Sequence, residues 1–242
     1  MIMMRSFRTL KGLCLVLMIV VIAGCAQTSS HQTSGKAVTR DADPSVLLMP
    51  PDILLQELTA GGQLNTNAAW SKAGERNVSQ ALNLVMQNKG IELVRYAKDD
   101  AQSETGVAER HQQVVKLHAA VGNTILIHKY NEQMALPTKE GRFDWTLSEE
   151  AARLGEEYDA DYALFLFMRD SFSSGGRTAL IVTAAILGIG VPGGRQVGFA
   201  SLVDLKTGDI LWFNLRASET GDLRDPNSAR ESVDSLLSEF PL

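Results

Sequence analysis

The sequence predicts an α/β (α+β) fold: a single mixed sheet of about five strands with packed helices, ending in a β-hairpin and a C-terminal helix. Three observations predict it. Short apolar runs in the first half alternate with segments of helical period. Tyr162-Ala163-Leu164-Phe165-Leu166-Phe167-Met168 is an unbroken apolar run of the kind a strand covered on both faces requires. Two further strand-like runs are joined by Lys206-Thr207-Gly208-Asp209, a turn sequence, and are followed by the helix start Asp225-Pro226.

Taken in order, Val46-Leu47-Leu48-Met49 reads as a buried strand stopped by Pro50-Pro51, with 53–58 extending it. A helix is predicted from Ser71, a good N-cap, to Lys89: Val78, Ala81, Leu82 and Val85 share one face, and Gly90 supplies the stop. Residues 91–96 read as a second strand, and 104–121 as a helix with a weaker stripe of Val107, Val114, Leu117 and Val121. Thr146-Leu147-Ser148-Glu149 fits a capping box opening a helix on which Leu147, Ala151, Leu154 and Tyr158 align. The 162–168 strand follows, then Ser173-Ser174-Gly175-Gly176 as a turn. Residues 196–205 alternate, with Val197, Phe199, Val203 and Leu205 on one face, and 210–215 return as the hairpin partner. The last helix buries Ala229, Val233, Leu236, Leu237 and Phe240. No repeat is visible.

Ahead of this domain, Arg5, Arg8 and Lys11 precede an apolar stretch about ten residues long that ends in Ile22-Ala23-Gly24-Cys25. That length suits a secretory signal and is short for a spanning helix. The segment resembles a bacterial lipoprotein signal, which implies cleavage between Gly24 and Cys25 and acyl chains on Cys25. Ala26 in place of aspartate favours the outer membrane, with the body facing the periplasm. The expected organisation is a signal over 1–24, a lipidated, disordered tether over 25–44 and one domain over 45–242. Residues 26–44 are polar and rich in Ser and Thr, so the tether has a coil span of roughly 20–25 Å that lets the domain sit clear of the membrane, and His31 is solvated.

Composition narrows the function. Cys14 leaves with the signal and Cys25 is taken by lipid, so the mature body has no thiol for a disulfide, a nucleophile or a metal. Losing Arg5, Arg8 and Lys11 takes the net charge from −5 to −8, which argues against nucleic acid and against broad attraction to anionic lipid.

The stretch from Phe143-Asp144-Trp145-Thr146 through Asp159-Ala160-Asp161-Tyr162-Ala163-Leu164-Phe165, with the hairpin Leu202-Val203-Asp204-Leu205-Lys206-Thr207-Gly208-Asp209-Ile210-Leu211-Trp212, resembles a group of envelope proteins. The group comprises the TolB amino-terminal domain, curli-secretion lipoproteins and several outer-membrane lipoproteins of unassigned function. The resemblance implies binding or assembly in preference to catalysis. The motif residues have structural reasons: Gly208 suits a turn needing positive φ, and Trp212 fills the core.

Other motifs are weaker. Gly188-Ile189-Gly190-Val191-Pro192-Gly193 matches GxGxxG, but Pro192 and a strand follow it instead of a helix N-terminus, so a nucleotide site is not expected. Residues 178–194 carry no charge between Arg177 and Arg195. Burial inside the domain is the default expectation for this insert, with a protein–protein contact through Leu180, Ile181, Val182, Ile186, Leu187, Ile189 and Val191, or membrane insertion, as alternatives. His111, His118 and His128 are spaced too widely for a zinc site, and Glu156, Glu157, Asp159 and Asp161 lack a calcium-loop ladder, so no metal or cofactor is expected. No GxSxG elbow is present.

The leading functional expectation is a lipid-anchored envelope protein that works by protein–protein contact in assembly or transport. Its contact regions would be the 178–194 insert and a loop running from Pro50-Pro51 to Gly61-Gly62, and a homo-oligomer is compatible. The alternatives are an enzyme or small-ligand binder with a site near Asp159 and Asp161, and a subunit of an oligomeric secretion pore.

Overall fold

The computed structural model describes residues 27–33, 38, 44–96 and 107–242. The signal segment, Gly24 and Cys25 lie outside the described residues, as do most of the expected tether and the first three residues of the helix expected from 104. The strands are β1 (Gln27–Gln32), β2 (Val46–Leu48), β3 (Asp52–Leu58), β4 (Leu64–Thr66), β5 (Leu93–Arg95), β6 (Tyr162–Ser173), β7 (Gln196–Asp204) and β8 (Ile210–Ser218). The helices are α1 (Ala68–Asn88), α2 (Val107–His128), α3 (Ser148–Tyr158), α4 (Gly175–Ile186) and α5 (Pro226–Leu236). The mixed sheet is as expected but has eight strands among the described residues, in the order β1-β8-β7-β6-β2-β5 with the β3–β4 hairpin continuing β2's line along β6.

That line is broken for a covalent reason. β2 pairs in parallel with Tyr162–Leu164 and β3 in parallel with Phe167–Ser173, and between them stand Pro50 and Pro51, which have no N–H to give to the ladder. So 52–58 is a strand inside the sheet and not a contact loop. Only the tip around Thr59–Gly62 remains a turn.

The apolar run of β6 is continuous because both faces are covered. Leu164, Leu166 and Met168 meet α1 and α5 through Val78, Leu82, Met86, Val233 and Leu236, with Trp212 fully buried among them. Ala163, Phe165 and Phe167 face the other way, toward α2 and α3, with Ile125, Leu154, Phe199 and Phe213. On that face Phe167, Phe199 and Phe213 stack across three strands at centroid distances of 4.5 and 5.2 Å.

Helix ends depart from expectation where a strand competes for the capping group. The N-cap of α1 is Asn67, whose Oδ1 accepts from Trp70 N at 3.1 Å. Ser71 instead accepts the Leu55 N–H at 2.9 Å and so ties the helix to β3. The capping box of α3 does not form: Thr146 Oγ1 accepts from Ser148 N at 2.8 Å but donates to Gly208 O, joining the β7–β8 turn. Gly208 has the positive φ the turn needs, at 75°. α5 starts as predicted, with Asp225 accepting from Asn227 N and Ser228 N.

The segment expected to be tether contributes β1. It lies antiparallel on β8, Gln27 opposite Ala217 and Gln32 opposite Trp212. Its backbone explains the miss: Gln-Thr-Ser-Ser-His-Gln carries no apolar alternation, yet it is anchored by main-chain pairing, by Tyr130 Oη donating to Ser29 O at 2.6 Å, and by the His31 ring 4.9 Å from Tyr130. Gln27, Ala217, Val197, Arg169 and Leu54 thus form one cross-strand row near one end of the sheet.

Candidate functional site

Ser173-Ser174-Gly175-Gly176 does not turn the chain back. Ser174 caps α4, its Oγ accepting from Arg177 N at 3.1 Å. Of the α4 residues only Ala184 is buried. Leu180 is 42% exposed, Val182 57% and Ile186 80%, and the following coil adds Leu187 at 71% and Ile189 at 57%. Ile181 and Val191 are half-buried. The expectation of a buried insert is therefore overturned. The reason lies in the layers: α1 and α5 occupy one sheet face and α2 and α3 the other, so a helix emitted between β6 and β7 finds no face left to cover.

The base of the insert is nevertheless fixed. The Arg177 guanidinium donates to Pro192 O at 2.7 and 3.1 Å and reaches back to Ala60 O at 3.4 Å, in the β3–β4 turn. Gly194 N donates to Ser173 Oγ at 3.1 Å, and a Cβ at Gly194 would lie 1.9 Å from Ser171 O. The glycines of the GxGxxG match end α4 and lead into β7, Gly188 at φ 73°, so they present no helix N-terminus to a phosphate.

The histidines are structural. His111 and His118 both lie buried on α2. His111 Nδ1 is 3.1 Å from Tyr96 Oη and its Nε2 is 2.5 Å from Glu157 Oε2. His118 Nε2 is 2.8 Å from Ser201 Oγ and the ring stacks on Phe165; burial pushes its pKa down to about 3. His128 meets Met134 O at 2.6 Å. Among the described residues no three His, Cys, Asp or Glu side chains converge as metal ligands.

The acidic cluster disperses. Asp159 closes α3 in the left-handed region, Asp161 accepts from Ser45 N and Oγ at 3.0 and 2.9 Å, and Glu157 turns to His111 and Arg110. Burial opposes ionisation of Glu157, but hydrogen bonds from His111 and Arg110 hold its pKa below the usual value. Glu156 and Asp161 line an open cleft of about 500 Å³ with Tyr162, Asp204 and Lys206. It lies at the end of the sheet opposite α4, beside the β7–β8 turn.

A polar network that sequence reasoning missed sits inside the fold. Asp170 Oδ2 accepts from Gln196 Nε2 and Leu223 N, both at 3.1 Å, and Gln196 Oε1 accepts from Ser232 Oγ and from Arg216. All four side chains are buried. Burial pushes the Asp170 pKa up to about 6 against those two donors. The signal in the sequence was a carboxylate two residues beyond the apolar run 162–168. The network lies buried beneath the loop before α5, to which Leu223 N ties it.

No family model matches the chain, and no curated protein does. Solved structures similar to it include the PelC dodecamer from Paraburkholderia phytofirmans, 14% identical over 89% of this chain and 98% of that one, with a TM-score of 0.37. Lipoprotein GNA1162 from Neisseria meningitidis is 12% identical over 81% and 97%, with a TM-score of 0.32. The LpoB C-terminal domain from Salmonella enterica is 17% identical over 76% and 86%, with a TM-score of 0.25.

Proposed function

We propose that the protein is a lipid-anchored lipoprotein of the outer membrane, facing the periplasm, that works by contact in envelope assembly or transport and not by catalysis. Its signal segment and Cys25 would supply the anchor. The observation that carries the contact reading is α4 with the coil after it: five large aliphatic side chains, each more than two-fifths exposed, on a rigidly fixed base. An apolar projection of that kind is costly for a free-standing soluble domain and is a mark of a surface that is covered in use. The polar clusters support the same reading, since His111, His118, Asp170 and Asp161 are each spent on packing the fold.

Two measurements test this. Mass spectrometry of the mature chain should find acyl groups on an N-terminal Cys25, and Cys25→Ser should accumulate as an unprocessed form; normal processing of that variant refutes the anchor. Crosslinking in intact cells should capture a specific envelope protein, and recovery of none counts against a role in assembly.

A further inference from the structure

We infer that α4 and the coil after it lie in the acyl layer of the same membrane that holds the anchor, so that the sheet stands with its strands end-on to the bilayer. This rests on the lipidation of Cys25 proposed above. β6 runs toward α4, β7 returns from it, β8 runs up again, and β1 descends from Gln27. Gln27 therefore enters the sheet at the end from which α4 projects.

The reach of the chain makes that coincidence restrictive. One residue, Ala26, separates Gln27 from Cys25, and two residue steps span at most about 7 Å. With strands about 4.8 Å apart and a rise of about 3.3 Å per residue, Gln27 stands roughly 14 Å across the sheet from β6 and, level with Arg169, roughly 13 Å short of the Ser173 end from which α4 leaves, while a helix of twelve residues is about 18 Å long. An acylated Cys25 thus brings the bilayer surface to this end of the molecule, within the length of α4. The long leash expected from residues 26–44 does not exist on the lipid side of β1.

The chemistry of the end agrees. Residues 178–194 carry no charge, and Arg177 and Arg195 bracket them where the insert joins the sheet. The adjoining β3–β4 turn, Thr59-Ala60-Gly61-Gly62, is also uncharged. No helix among the described residues is long and apolar enough to cross a membrane, so the geometry is that of a segment lying at the interface. The body's excess of acidic residues would repel anionic headgroups, which makes the contact apolar and insensitive to salt. A protein partner or a second copy would have to displace the bilayer from the one surface that the short link presses against it. Protein partners are left the opposite end, where the 500 Å³ cleft and the β7–β8 turn lie.

The test uses the full acylated chain in vesicles of phosphatidylethanolamine and phosphatidylglycerol. Single nitroxide labels are attached at Val182→Cys, Ile186→Cys, Ile189→Cys and, at the far end, Thr207→Cys; the acylated Cys25 does not compete for the label. Collision with oxygen relative to a water-soluble nickel chelate should be at least about threefold higher at 182, 186 and 189 than at 207, as for side chains held below the headgroups. Ile186→Asp with Leu187→Asp should return the 182 label to the value at 207. Labels at 182, 186 and 189 that are as water-accessible as 207 overturn the inference. So does a photoreactive group at 186 that joins a protein, whether a second copy or another chain, in place of lipid. Mass spectrometry of the same sample separates the two readings: acyl groups on Cys25 with labels in water sink only this inference, whereas an unmodified Cys25 sinks the anchor on which it rests.

Discussion

At the scale of single residues, two of the buried titratable groups, His118 and Asp170, pull stability in opposite directions with pH. His118 has a folded pKa of about 3 against 6.5 unfolded, so the unfolded chain binds its proton first and the stability it contributes above pH 6.5 is lost as pH falls toward 3. Asp170 is raised to about 6, so it favours the fold below its unfolded value of about 3.9 and loses that contribution as pH rises through 6. Denaturant unfolding between pH 4 and 7 should separate them. Relative to the parent chain, Asp170→Asn should lose more stability on acidification, and His118→Gln should lose less. Parallel curves for all three would show that neither group is buried as described. Gly122 gives a second test at this scale. Alanine would gain about 1 kcal/mol of helix propensity in α2, but its Cβ would lie 2.1 Å from the Phe199 ring, and overpacking of a stacked aromatic core costs about 1–3 kcal/mol or more. Gly122→Ala should therefore destabilise; an unchanged melting temperature would mean that α2 stands off the sheet.

At the scale of elements, the legible parts were those where one local rule acts alone. The start of α5 could be read to the residue, since Asp225, Pro226 and the stripe Ala229, Val233, Leu236 meet no competing partner, whereas Leu237 and Phe240, expected on the helix, are buried just beyond its end. β6 and the β7–β8 hairpin were legible for the same reason, although β6 continues five residues beyond the apolar run because Arg169, Asp170 and Ser171 are satisfied by Asp52, Leu223 and Arg195. Thr146 and Ser71 misled because their hydroxyls serve a turn and a strand that only the tertiary fold brings near. The insert misled differently. Its composition says apolar, and composition cannot tell a helix inside from one that the layers have left outside. The exposure of α4 carries its own prediction: Ile186→Asp with Leu187→Asp should change unfolding stability by no more than about 0.5 kcal/mol, as surface changes do, whereas Leu166→Asp should prevent folding. β1 was illegible because a polar edge strand is specified by its neighbour's unpaired backbone and not by its own side chains. Deleting residues 27–32 should lower the melting temperature by several degrees while leaving the remaining sheet intact by circular dichroism.

At the scale of the whole molecule, β1 also sets an order of events. β1 pairs with β8, each residue with one 180 or more positions further along the sequence, so a chain emerging N-terminus first has no edge on which to lay residues 27–32 until Ile210–Ser218 has arrived. Contacts so distant in sequence must close most of the chain into one loop before they return any stabilisation, and they form late. The sheet edge that β1 forms thus acts as a completion seal. A chain cut short before Ile210 should leave residues 27–32 open to added protease, and the full-length chain should protect them, so that only a finished molecule closes over its own first strand.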